Sequence, residues 1–223
     1  MKSVSKMLVI VWKDVLSELR TREIVSSVLV FAILVIVVFN FAFGDSQETA
    51  ISLAPGILWV TFAFAGVLSL NRSFVLEKEE GCLEGLMACP VSREAIYMGK
   101  MLGSLIFMLF IEAIVLPVFA LLFNVNVISL PLVAVALLAT LGFVAVGTLF
   151  SALAVNTRAR EMVLPILFFP IVAPVIICAV NASGLALAGE SWNNLASWLE
   201  IMGAFDVIFL VASYLVFPFA VEE

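Results

Sequence analysis

The 223-residue chain contains no histidine. That absence removes metal-dependent and rhomboid-type intramembrane proteases, zinc sites built on imidazole, and haem proteins ligated by two histidines. Cysteine is sparse as well: Cys82, Cys89 and Cys178 form no CxxC pair, which argues against a zinc cluster or a disulfide framework. No GxxxxGK[ST] phosphate loop is present, because Gly99-Lys100 is followed by Met101 and lacks the upstream glycine. If ATP drives this protein, another chain must bind it. A serine–lysine pair has no place either, since the only lysine near a span interior, Lys100, stands at the span's end. The sequence therefore predicts no catalytic residues, no metal site, no cofactor held by the chain, no nucleic-acid partner and no enzyme activity of its own.

Charge is the other scarcity, at 13% of residues against roughly a quarter in soluble domains, while 64% are hydrophobic. So much apolar surface exceeds what one compact core can bury, so lipid must solvate the rest, and in lipid only helices or closed barrels satisfy the backbone. Long unbroken apolar runs select helices over a barrel. Crossing about 30 Å of hydrocarbon takes roughly 20 apolar residues. Six segments qualify, at about 24–43, 50–70, 97–123, 127–155, 162–187 and 200–220. The expected fold is an all-α membrane protein forming a single domain over residues 1–223. Pro117, Pro165, Pro170 and Pro174 mark where long spans would break.

The eleven basic residues test that count. The N-terminal segment carries Lys2, Lys6, Lys13, Arg20 and Arg22; the loop after span two carries Arg72, Lys78 and Arg93, with Lys100 just inside span three; the loop after span four carries Arg158 and Arg160. The opposite loops, 44–49, 124–126 and 188–199, carry none. Six spans put all the basic residues on one side, so both termini are expected in the cytoplasm of a multi-pass inner-membrane protein. Trp192 and Trp198 then fall in the last outer loop or at its interface. The basic N-terminal stretch reads as retained rather than as a cleaved signal.

Two elements on the basic side are not spans. Over residues 3–22, Val4, Met7, Leu8, Val11, Val15 and Leu19 recur at helical spacing, with Lys6, Lys13, Asp14, Ser17 and Arg20 largely opposite, predicting an amphipathic helix in the interface plane. The loop 71–96 is much longer than the others. It holds Glu77, Glu79 and Glu80, a break at Gly81, then a short helix from Cys82 to Ala88 that carries Glu84 and is closed by Pro90. Leu83, Leu86 and Met87 are expected to face outward on it. Such a helix either docks into a partner or simply covers span ends. Within spans lie two acids, Glu112 near the middle of span three and Asp206 in the outer third of span six, where hydration from the outer surface is available. Buried carboxylates in a membrane are costly and mark functional positions by default. Gly142 and Gly147 are expected to let helices of two copies approach in a dimer.

The stretch from Leu53 to Met101 resembles the CcmB permease family of cytochrome c maturation, the haem exporter protein B family. The resemblance rests on Ala54-Pro55-Gly56 with Trp59 in span two, the acidic run from Glu77 to Glu80, Gly81 followed by Leu83-Glu84, Pro90, and Gly99-Lys100 at the opening of span three. Pro218-Phe219-Ala220 near the C-terminus agrees. Cys82 stands where threonine is more usual, and the tail ends Val221-Glu222-Glu223 rather than in a basic residue.

The resemblance implies the permease subunit of a type 2 ABC exporter, in which residues 81–88 form the coupling helix that docks on the ATPase. It implies a homodimer, a CcmA-type ATP-binding subunit holding ATP, CcmC- and CcmD-type membrane partners, and haem as the substrate exported or handled. Two other functions fit the residues alone: a type 2 ABC permease for a lipid or drug, and a membrane scaffold of cytochrome assembly that transports nothing.

Overall fold

The computed structural model describes residues 2–21, 23–43, 47–79, 81–127, 129–155 and 160–220. Among these the regular elements are eight helices: α1 (Lys2–Thr21), α2 (Glu23–Phe43), α3 (Gln47–Glu79), α4 (Cys82–Ala88), α5 (Arg93–Phe123), α6 (Leu130–Val155), α7 (Arg160–Leu187) and α8 (Trp192–Ala220). Six of them, α2, α3 and α5 to α8, are long and apolar enough to cross a membrane, as the sequence predicts. α3 and α6 are buried over most of their spans, whereas α2, α5, α7 and α8 keep broad exposed stripes. The bundle is thus a pair of inner helices wrapped by four that meet lipid. Two apolar cores stack along it. One is centred on Trp59, Phe119 and Leu195, the other on Phe74, Tyr97 and Phe168 at the end that carries the basic residues.

Helix ends differ from the expected span ends for a simple reason: hydropathy marks where lipid stops, not where the backbone stops being helical. The loop 71–96 is largely helix. α3 continues without interruption to Glu79, beyond the apolar span that ends at Arg72, and α5 already starts at Arg93. Lys and Glu are good helix formers in water, so the α3 helix simply emerges from the membrane. α8 likewise starts at Trp192 rather than near residue 200, which carries both tryptophans onto the helix; Trp192 is exposed and Trp198 packs against the core. α6 begins slightly later than expected, at Leu130. None of the prolines breaks a helix: Pro117, Pro165, Pro170 and Pro174 all sit inside continuous helical segments. Bundled membrane helices tolerate proline because neighbours and local adjustment re-satisfy the freed carbonyls.

Gly142 and Gly147 are not available to a second copy. A Cβ on Gly142 would lie 2.3 Å from Asp206 Oδ1, and one on Gly147 would lie 2.4 Å from Leu70 Cδ1, so both serve close packing inside the chain. The small-residue rule was right about close approach and wrong about the partner.

α1 forms as predicted but presents its faces differently. Leu8, Val9, Trp12 and Leu16 make the exposed stripe, while Ile10 and Asp14 are buried. α1 lies against α5, where Gly99 and Gly103, one helical turn apart, let the two backbones approach. Periodicity sets Asp14 on the polar face; instead it points into the protein, because a helix lying between lipid and protein has two faces to satisfy, not one.

Candidate functional site

α4 is the short helix the sequence predicts, and it is hung on a sharp turn. Gly81 adopts φ +68°, a left-handed conformation that side chains disfavour, and its N–H donates to the Lys78 carbonyl at 3.1 Å. The turn closes α3 and starts α4 at once, since Gly85 N–H donates to Gly81 O at 3.0 Å. Past Ala88 the chain is exposed through Cys89 and Pro90. Met87 faces outward as expected, at 37% exposure. Leu86 does not: it is half-buried and packs against the core at the basic end, fastening α4 to the bundle. Glu80 and the side chains of Leu83 and Glu84 lie outside the described residues.

Beneath α4 sits an ionic cluster built from three elements. Lys100 of α5 is 2% exposed and pairs with Glu77 of α3 and, at 3.3 Å, with Asp14 of α1. Lys13 reaches Glu77 at 2.6 Å and Asp14 at 3.0 Å. The Lys100 ammonium also stands 5.2 Å from the centre of the Phe74 ring. Among the described residues two cations and two anions leave the cluster neutral, which favours its burial. A further hydrogen bond, from Lys6 to the Pro90 carbonyl, ties α1 to the exit of α4. α1 therefore holds the loop on both sides: through Glu77 before α4 and through Pro90 and Lys100 after it.

The two acids of the cluster are shifted in opposite directions. Burial pushes the Asp14 carboxyl above its ordinary value, against the pull of Lys100 and Lys13. Burial acts the same way on Glu77, but Lys100 and Lys13 outweigh it and hold that carboxyl low. Lys13 loses to burial but gains more from Glu77 and Asp14, and is raised. On acidification Asp14 takes up a proton first, and Glu77 stays charged longest.

The motif residues have physical roles at both ends of the bundle. Trp59 Nε1 donates to Ser183 Oγ of α7 at 2.8 Å, and Pro55 Cγ is 3.7 Å from where a Cβ on Gly184 would stand, so this pair joins α3 to α7. Nothing crowds Gly56. Gly99 is the point of closest approach to α1: a Cβ there would lie 2.9 Å from both Cβ and Cγ2 of Ile10. The adjacent Gly99 and Lys100 are thus one device, a gap for α1 followed by the charge that holds it. Sequence reasoning missed Lys13 and Asp14. The signal was the glycine pair at 99 and 103 beside a lysine, which marks a helix lying close.

Glu112 and Asp206 are both buried, against opposite sides of one stretch of α6. Thr140 donates to Glu112 Oε1, and Glu112 Oε2 has no hydrogen-bond partner among the described residues. Asp206 lies near the middle of α8 rather than toward its outer end, because the helix starts earlier; it is 4% exposed and packs on Gly142. Hydration from the outer surface is therefore not open to it. Glu112→Gln is expected to keep the Thr140 contact and near-normal thermal stability in detergent. Glu112→Lys should cost about 3 kcal/mol or more by burying an unpaired charge. A Lys variant as stable as wild type would show that the position reaches water.

Six spans, two of them interior, with one braced and exposed helix between the second and third, define a polytopic α-helical membrane protein. The chain belongs to the CcmB protein family, which matches residues 5–223. Among its relatives, Heme exporter protein B of Bradyrhizobium diazoefficiens is 28% identical over 191 residues, 85% of this chain and 83% of that protein. The protein of the same name from Pseudomonas aeruginosa is 27% identical over 83% of each chain. That from Paracoccus denitrificans is 32% identical over 72% of this chain and 74% of its own. The resemblance carried by Leu53 to Met101 thus extends over nearly the whole chain.

Proposed function

We propose that this chain is the membrane permease subunit of an ABC transporter that exports or handles haem in c-type cytochrome biogenesis, driven by ATP bound on a separate subunit. Membership of the CcmB family and relatives named Heme exporter protein B support the substrate. The absence of any phosphate-binding loop supports a separate ATP-binding chain of the CcmA type. CcmC- and CcmD-type membrane proteins and a second copy of the chain complete the proposed complex. The chain transports rather than catalyses, and its lack of histidine directs haem contacts toward hydrophobic, methionine or cysteine side chains. The one-sided basic residues support a cytoplasmic side for α1, α4 and both termini.

The observation that carries the reading is the way α4 is mounted. A docked coupling helix must stay fixed to the spans it moves. Here Gly81 joins α4 to α3, a continuous helix of 33 residues that reaches roughly 50 Å. The Gly81 N–H to Lys78 carbonyl bond fastens the start of α4 to the last turn of α3, so a displacement of α4 by a closing ATPase is delivered along α3 into the buried half of the bundle. Glu84 is assigned to a charged partner group on the ATPase, and Met87 to an apolar one. Met87→Asp and Glu84→Lys are each expected to abolish co-purification of the ATP-binding subunit, or the stimulation of its hydrolysis, at unchanged membrane abundance. Glu222→Lys, a charge change of the same size as the second, should do little. Full association and normal cytochrome maturation in both loop variants would mean that α4 only covers span ends.

A further inference from the structure

The spans hold two acids deep in the bilayer, Glu112 and Asp206, and no cation to match them. The basic residue set furthest into a span is Lys100, about 10 Å along α5 from its start, and it is already paired with Glu77 and Asp14. Asp206 stands at the midpoint of α8, and neither of its carboxyl oxygens has a hydrogen-bond partner among the described residues. Oδ1 takes up the side-chain space of Gly142: a Cβ there would lie 2.3 Å from it and 3.2 Å from Phe205 Cδ1. The stacked rings of Phe205 and Phe209, 4.1 Å apart, add an apolar wall. α6 offers Asp206 no donor, since N–H groups in the middle of a helix are spent on the helix itself. Three helices pack on α8, and their titratable groups are engaged elsewhere. The α6 helix has none, and Cys178 of α7 belongs to the core around Trp59. On α5, Arg93 donates to the Pro218 carbonyl, Tyr97 to the Ala145 carbonyl, and Glu112 accepts from Thr140. On α8 itself Glu200 and Tyr214 are exposed. A carboxylate at position 206 would thus be a bare charge in hydrocarbon, whereas the neutral acid is a small polar group that fits.

We propose that Asp206 is a proton-binding site that gates the seam between α6 and α8. The carboxyl packs on Gly142 as the neutral acid. When its proton passes to a water molecule, the carboxylate left behind has to reach water as well, and α8 must part from α6 for it to do so. The glycine that lets the two helices close makes their closure depend on one proton. The site stands apart from the α4 machinery, and its readouts need neither haem nor an ATP-binding subunit.

The chain has three aspartates, Asp14, Asp45 and Asp206, so an isotope label can single them out. Full-length protein with heavy-carbon aspartate carboxyls is reconstituted in nanodiscs, and its infrared spectrum is read at neutral pH. Wild type is expected to show an isotope-shifted band of protonated acid that Asp206→Asn removes and Asp14→Asn leaves in place. No such band, or one that survives Asp206→Asn, would overturn the proton site. A band that appears only when sodium and potassium are withheld would overturn it in favour of a bound metal cation. The gate is read at Ser213, buried on the same face of α8 two turns nearer the basic end, as labelling of Ser213→Cys by a water-soluble maleimide. Labelling is expected to match that of Ser213→Cys combined with Asp206→Asn at neutral pH. Through the acid's titration it should outrun that reference by about tenfold for each unit of pH. Asp206→Ala, uncharged and without a buried amide, is the second reference should Asn loosen the packing. Labelling equal to both references across the alkaline range would overturn the gate.

Discussion

Lys100→Met is expected to destabilise the basic end of the bundle by about 3–5 kcal/mol and to free α1. The size follows from what is left behind. Lys100 is almost fully buried, and without it Asp14 and Glu77 share a site in which, among the described residues, Lys13 is the cation left to balance them. The loss should appear as a lower thermal midpoint in detergent and as faster proteolysis within residues 2–21. Neutralising the three more deeply buried members, which leaves the part-exposed Lys13 to turn to water, has a different expected result. A buried ion network replaced entirely by neutral groups is often no less stable than the original. Asp14→Asn, Glu77→Gln and Lys100→Met together should recover most of the midpoint. If the cluster serves to hold α4 in register, the stable triple variant will still associate with the ATP-binding subunit but stimulate its hydrolysis poorly. A stable triple variant with full stimulation would reduce the cluster to a packing feature.

Gly99→Leu should produce the same release of α1 with every charge in place. Ile10 cannot step aside, because a β-branched residue in a helix has one strongly preferred rotamer, and the Met7 carbonyl oxygen lies 3.3 Å from the new Cβ. The helix as a whole must lift, which draws Asp14 away from Lys100. Overpacking of this kind costs typically 1–3 kcal/mol, to which the loss of the ion pairs is added. Gly99→Ala combined with Ile10→Gly is the paired control, since the second change removes both the Cβ and the Cγ2 that the new Cβ would meet; its α1 should resist proteolysis better than that of Gly99→Leu. A Gly99→Leu protein with wild-type proteolysis and midpoint would mean that α1 and α5 do not touch.

The spans were legible because each is an unbroken apolar run of membrane length, and their order because every basic residue falls at one end. α4 was legible from Gly81 and Pro90, which punctuate the chain whatever surrounds them. The limits were of a different kind. Hydropathy changes sign at Arg72, but helix propensity does not, so the continuation of α3 to Glu79 was hidden inside what reads as a loop. Leu86 was expected outward because nothing local distinguishes it from Met87, and only the neighbouring core decides between them. The inward turn of Asp14 depends on a lysine in another helix. Periodicity along α1 describes one segment, and the partner that reverses the cost of burying its carboxylate is far away in sequence.

That distance also orders events in time. α1 leaves the ribosome with Asp14 and Lys13 already made, but the groups that receive them, Glu77 and Lys100, belong to helices not yet synthesised. At about 5–20 residues per second the wait lasts several seconds, long enough for the spans between to enter the bilayer. Meanwhile α1 has only its stripe of Leu8, Trp12 and Leu16 to keep it at the membrane surface. Docking of α1 therefore reports that the third span has arrived. The cluster that closes the loop in the finished protein is, during biogenesis, the step that registers its assembly.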